Sequence, residues 1–181
     1  KVLPSFSEFN WALFQPVIST GVPDGNNDES KLVDDDTNTR WSVQPFPQSA
    51  TVDLLGFITI TGTEVVCYED RAYQFIIEGS IDIDGPYTTL VDRSNNSTPG
   101  TPAAPIINLV DGIEARYVKI TVTDADVYMG DWASLTELRV FGFGERDSSL
   151  TALGLSDIAT NKLLIYPNPV TSVLTIEDAE E

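Results

Sequence analysis

The sequence predicts an all-β domain, an antiparallel β-sandwich with long loops at its ends. Short apolar runs rich in β-branched and aromatic residues recur between clusters of Gly, Pro, Asn and Asp. In "RYVKITVT", Val118, Ile120 and Val122 share one face while Lys119, Thr121 and Thr123 share the other, the period-two pattern of a half-buried strand. No stretch sustains a helical period over the length of a long helix.

The elements follow in order. The runs "ATVDLL", "ITITGTEVVCY", "AYQFIIEGS", "YTTLVD", "PIINLVD", "RYVKITVT" and "LTELRVFGFG" read as strands, and "AYQFIIEG" places Tyr73, Phe75 and Ile77 on one side. The longest connection, "RSNNSTPGTPAAP", is turn chemistry throughout. In a sandwich of this kind, function is expected in the loops. After "LRVFGFG" the texture becomes small, polar and aperiodic, so the domain ends near Gly144. The division expected is a linker over 1–5, the domain over 6–144, a second linker over 145–161, and a truncated start of another domain over 162–181, too short to bury a core of its own.

Composition narrows the partners. The 181 residues, 41% hydrophobic, suffice for a core without staples, and 28 acids against 10 bases leave a net charge of -18. That charge repels phosphate backbones and anionic headgroups, which excludes nucleic acid and membrane surfaces as partners and favours cations. No apolar run approaches the roughly 20 residues needed to span a bilayer. The chain begins at Lys1 without a signal peptide and reads as a mature or excised fragment. Histidine is absent, which removes the commonest general base and every Ser-His or Cys-His nucleophile pair. The single cysteine, Cys67, forms no internal disulfide and reads as a small core residue.

The segment "KLVDDDTNTRW" asks for more than strand patterning. Calcium takes six to eight oxygen ligands from carboxylates, hydroxyls and carbonyls. If the loop curls, Asp34, Asp36 and Thr39 turn oxygens toward one point; a solvated acidic turn is the equal alternative, since the loop lacks the Gly and terminal Glu of an EF-hand.

The order "NWALFQPVIS", "LVDDDTNTRWS", "ATVDLL", "YQFIIEGSID", "ARYVKITVT", "DWASLTELRVFG" resembles the coagulation factor V/VIII type C, or discoidin, family, and more closely its bacterial branch of family 32 carbohydrate-binding modules. The resemblance covers about Phe6 to Gly144. It implies an eight-stranded jelly-roll sandwich with one structural calcium ion. By position it assigns a side-chain oxygen to Asp34, backbone oxygens to Lys31 and Asp36, both hydroxyl and carbonyl to Thr39, the carbonyl to Thr136 and the carboxylate to Glu137. Asp35 stands where the family often has glycine, which implies a slightly altered turn with Asp35 facing solvent.

Sugars are gripped by an aromatic face and by planar polar groups on vicinal hydroxyls. Two loops offer that combination: "CYEDRAY", with Glu69, Asp70 and Arg71, and "DVYMGDWASL", with Tyr128, Met129, Asp131 and Trp132. The resemblance places the corresponding loops at one end of the sandwich and makes Glu69, Asp70, Arg71, Tyr128 and Trp132 the ligand-binding set. Against that, Trp132 reads equally as a core lid, and Glu69 with Arg71 as an ion pair across a turn. Trp41 is assigned to the core with Tyr73 and Tyr87, and Trp11 to packing. The family often uses histidine on the sugar, so its absence here argues against the usual galactose mode.

The tail "LLIYPNPVTSVLTIED" resembles the start of the C-terminal sorting domain of the type IX secretion system of Bacteroidetes, which implies export to the cell surface or medium. The expected function is a non-catalytic, monomeric carbohydrate-binding module of a secreted bacterial polysaccharide-degrading enzyme, binding a poly- or oligosaccharide. The alternative is a cell-surface adhesion module for protein or host glycans. Glycosidase chemistry would need opposed carboxylates in a cleft, whereas the carboxylates here cluster in turns.

Overall fold

The computed structural model describes residues 9–146. Seven strands run through them: β1 (Val17–Ser19), β2 (Trp41–Val43), β3 (Gln48–Cys67), β4 (Ala72–Ser80), β5 (Thr88–Arg93), β6 (Ile106–Asp126) and β7 (Ala133–Arg146). Short 3-10 turns occupy Glu29–Leu32 and Tyr68–Asp70. Every strand pairing is antiparallel.

Two long strands build both faces of the sandwich. The first part of β3, Gln48 to Asp53, lies between β1 and the second part of β6, which in turn pairs with β4 and, beyond it, β5. The second part of β3, Gly56 to Cys67, lies between the first part of β6 and β7, with β2 on the far edge of β7. Sequence runs that read as separate strands are therefore fused: "ATVDLL" with "ITITGTEVVCY", and "PIINLVD" with "RYVKITVT". The cause is local. The register slips between Asp53 and Ile58, where β3 inserts extra residues opposite β6 and Leu55 takes a positive φ of 55°. Bulges of this kind bend a strand and carry it from one sheet to the other without ending it.

The core between the sheets contains Trp41, Leu54, Ile58, Ile60, Tyr73, Phe75, Ile77, Val118, Ile120, Val122, Leu135 and Leu138, all fully buried. Trp11 packs on this core and donates its indole N–H to the Gly142 carbonyl at 3.0 Å. Cys67 is buried, and burial pushes its thiol up to about 11. Tyr87 departs from its core assignment. It sits half-buried on the outer face, with Lys119 Nζ 4.0 Å from its ring centroid and its hydroxyl donating to the Ile83 carbonyl. Lys119 belongs to the polar face of its strand, and Tyr87 precedes the edge strand β5 on that same outer side. Pairing of β7 with β3 continues to Arg146, opposite Gly56, two residues past Gly144. Glu145 and Arg146, expected in the 145–161 linker, thus belong to β7; the rest of that linker, the sorting-domain reading over 162–181 and the 1–5 linker lie outside the described residues.

Candidate functional site

The acidic loop folds over β7. Asp34 and Asp36 each accept a bond from the backbone two residues on, the Asx-turn geometry their residue type favours. Thr39 Oγ1 lies 2.8 and 3.0 Å from the two Asp34 carboxylate oxygens and 3.0 Å from the Asp36 carbonyl. Lys31 Nζ approaches Asp34 at 3.9 Å. Asp35 is exposed, adopts a positive φ of 57°, and pairs with Arg139 at 2.9 Å. It thus takes the left-handed backbone that a glycine adopts freely, and faces out.

From the other end of the chain comes β7. The register passes from Val66 opposite Glu137 to Cys67 opposite Leu135, which leaves Thr136 as the extra residue of a bulge. The bulge lets both Leu135 and Leu138 enter the core although they are three residues apart. It also turns Glu137 under the acidic loop. Glu137 is fully buried, and both its carboxylate oxygens lack a hydrogen-bond partner. Burial, reinforced by the nearby Asp34 and Asp35 charges and opposed by Arg139, pushes its carboxyl up to about 8. Among the described residues no group of three or more carboxylate, imidazole or thiolate side chains forms a metal cluster. A cation here would draw on carbonyl and hydroxyl oxygens as well.

At one end of the sandwich the loops form a cleft of about 300 Å³, lined by Glu69, Asp70, Arg71, Tyr128, Val127 and Ser97 among others. Four of the five sequence-predicted ligand residues meet there. Trp132 is not in the lining: it is half-buried, and its backbone carbonyl accepts the Tyr73 hydroxyl at 3.0 Å. Met129 is fully exposed at the neighbouring loop tip.

Arg71 organises this end. Its guanidinium lies 4.1 Å from the Tyr128 ring centroid, donates to the Tyr73 hydroxyl at 3.0 Å and to Glu69 at 2.6 Å. On the far side Tyr68 is shared by Arg71 at 5.4 Å and Arg40 at 4.2 Å. The result is a series of alternating guanidinium and phenol groups, Arg40, Tyr68, Arg71 and Tyr128, in cation–π contact from the end of the acidic loop to the cleft. Glu69, Asp70 and Val127 all hold positive φ, of 54°, 53° and 57°. For Val127, β-branched and 93% exposed, that conformation is strained and nothing in its own packing explains it. Sequence reading did not select Val127, Ser97, Asp126 or Arg40. The only trace of them was their position in or beside loops, because backbone strain and cross-loop stacking leave no periodic signal.

Comparisons with known proteins bear on the family and the fold. The F5/8 type C domain matches residues 17–138. Comparison with curated protein sequences finds no match. Among solved structures, the chain is similar to a family 89 glycoside hydrolase from Clostridium perfringens, with TM-score 0.66 and 19% identity; the match covers 75% of this chain but only 15% of that one. It is also similar to chitosan-binding module 1 of a chitosanase/glucanase from Paenibacillus sp. IK-5, with TM-score 0.65, 20% identity, and 74% and 99% of the two chains covered. A third is the CBM32 of AlyQ in complex with 4,5-unsaturated mannuronic acid, with TM-score 0.58, 26% identity, and 70% and 93% covered. The fold is that of carbohydrate-binding modules. With the match spanning most of the described strands, the acidic "DDDTNTRW" loop and the "SLTEL" segment, the chain belongs to the F5/8 type C, or discoidin, domain family.

Proposed function

We propose that this domain is a non-catalytic carbohydrate-binding module of a secreted bacterial polysaccharide-degrading enzyme, holding a poly- or oligosaccharide in the cleft of Glu69, Asp70, Arg71 and Tyr128. The observation that carries the reading is the guanidinium of Arg71, held 4.1 Å from the Tyr128 ring centroid in a cleft with carboxylates beside it. A planar platform with charge-assisted hydrogen-bonding groups at its edge suits a sugar ring and its vicinal hydroxyls. Similar modules are described by what they bind, chitosan in one case and an unsaturated mannuronic acid in another. The length of the Clostridium perfringens hydrolase supports an appended module within a larger enzyme. Export by the type IX route is part of the proposal and rests on "YPNPV", which lies outside the described residues.

A structural calcium ion completes the reading. Glu137, buried with two unpartnered oxygens beneath an acidic loop, fits a hard cation. Asp34, Asp36, Thr39, Thr136, Glu137 and the Lys31 carbonyl would hold it, and its chemistry is charge compensation that ties β7 to the loop. The adhesion reading is favoured by one feature, the exposed apolar pair Met129 and Val127 on the loop beside the cleft, where a partner surface would cover them.

Calorimetric titration with oligosaccharides drawn from polysaccharides that retard the protein in affinity gels tests the module. Binding between about millimolar and micromolar is expected, weakened at least about tenfold by Arg71→Ala, the loss of one charge-assisted hydrogen bond. Arg71 is largely covered, so the variant's fold is checked by melting. Equal binding by the folded variant removes the cleft from the reading.

A further inference from the structure

Ser97 lines two clefts at once. One is the Arg71 cleft; the other, of about 440 Å³, is lined by Asp92, Arg93, Asn95, Asn96, Ser97 and Thr98. Between them runs the loop that follows β5, and its residues divide into anchors and presented groups. Asn96 is buried, donating to the carbonyls of Tyr73 at 2.9 Å and Thr98 at 2.8 Å. Gly100 is packed so closely that a Cβ would stand 2.9 Å from both Ile106 and the Val65 carbonyl, and its own carbonyl accepts the Cys67 N–H at 2.7 Å. At the loop's start Arg93 donates to Asn108 at 2.7 Å. Pinned at these three places, the loop leaves Asn95, Ser97, Thr98 and Pro99 exposed. A wall so held is preorganised, and ordering it costs a ligand little.

We propose that the two clefts, which share Ser97 on the loop between them, form one binding groove across that loop, taking a linear saccharide of several units that carry no carboxylate or sulfate. The inference rests on the saccharide-binding reading above. The combined space falls in the range of about 300–1,000 Å³ typical of clefts that bury a multi-ring ligand, and both clefts contain hydrogen-bonding side chains rather than one polar and one apolar end. Charge decides the second half. The linings hold Glu69, Asp70, Asp126 and Asp92 against Arg71 and Arg93. Arg71's charge is answered by Glu69, and although Arg93 bonds only the neutral Asn108 and Ile107 carbonyl, the carboxylates of the linings remain in excess. An anionic chain would meet surplus carboxylates at contact distance, inside the ~8–10 Å over which salt does not screen them. A neutral chain, or one bearing amino groups, meets acceptors.

The test is calorimetric titration of the full chain with three oligosaccharide series, each from one unit upward: N-acetylglucosamine oligomers, their de-N-acetylated counterparts, and oligouronates. In at least one of the first two series, affinity is expected to rise by about tenfold or more from the single unit to the longest oligomer, as a second set of hydrogen bonds forms. In Asn95→Ala and Thr98→Ala that ratio collapses toward one, while melting is unchanged because both side chains are exposed. Binding of the single unit with no gain on lengthening overturns the groove and leaves the module reading standing. A full gain retained in both variants also overturns the groove. Oligouronates that bind as tightly as the other series overturn the charge requirement. No binding by any series overturns this inference, and if affinity gels with other polysaccharides also fail, the module reading falls with it.

Discussion

Glu137 is a carboxylate in a place where a carboxylate keeps its charge only if something answers it. Water does not reach it, its oxygens have no donor, and its neighbours Asp34 and Asp35 are of the same sign, so without a cation its carboxyl is pushed up to about 8 from an ordinary 4.5. Between those values the folded chain keeps a proton that the unfolded chain has lost. Metal-free stability is therefore greatest below about pH 4.5 as far as this group is concerned, and falls as pH rises toward 8. Glu137→Gln cannot titrate. Melting of the metal-free wild type and this variant across pH 5 to 8.5 is expected to diverge, the wild type losing ground as pH rises, and calcium is expected to restore the wild type only. Parallel curves would mean that Glu137 is answered by a group other than a cation. At the cleft Arg71 contacts both Tyr73 and Tyr128, so the binding role proposed for it is tied to local order.

At the scale of elements, the middle of the loop after β5 is anchored by the Asn96 side chain. Asn96 donates to two carbonyls and its Oδ1 accepts the Thr98 N–H at 3.3 Å, bonds that join β4 to the wall between the clefts. Asn96→Ala leaves the Tyr73 carbonyl buried without that partner, which is expected to cost about 1–3 kcal/mol. It is also expected to weaken saccharide binding in the folded fraction, because the wall must then be ordered on binding. Chemical denaturation gives the first effect and calorimetry the second. Loss of stability with binding intact would make Asn96 a packing residue only.

At the scale of the molecule, the acidic loop and β7 are brought together from opposite ends of the sequence: Asp35 and Arg139 pair at 2.9 Å across 104 positions. An ion held between these segments closes the sandwich much as a cross-link would, in a domain whose one cysteine is free. Ligand binding to the native state stabilises by about 2.7 kcal/mol at a hundredfold excess over Kd. Melting in calcium is thus expected to exceed melting in EDTA by several degrees, with the far-ultraviolet β signal retained in both, and Asp34→Ala is expected to abolish the difference. Coincident curves for the wild type in calcium and EDTA would remove the ion from the account.

Alternation in "RYVKITVT" and "AYQFIIEG" by itself determined which faces are buried, because side chains of a strand alternate whatever the partner, and those residues are the core. The "TNTRW" and "SLTELRVFG" segments likewise determined the family. Tertiary structure decided the rest. Only the two register shifts, after Asp53 in β3 and between Leu109 and Ile113 in β6, show that four sequence runs are two continuous strands, since a bulge costs local pairing but leaves no break in composition. Only the Thr136 bulge buries Glu137, a residue whose polarity alone would put it in water. Tyr87 and Trp132 show the limit of reading aromatics one at a time: a phenol or indole suits core, lid or platform alike, and the strand edge or loop beside it decides which. The cleft was legible in "EDR" and Tyr128 but not in Ser97 or Val127, because their places depend on how separate loops meet, and that meeting is set by the sheets beneath them.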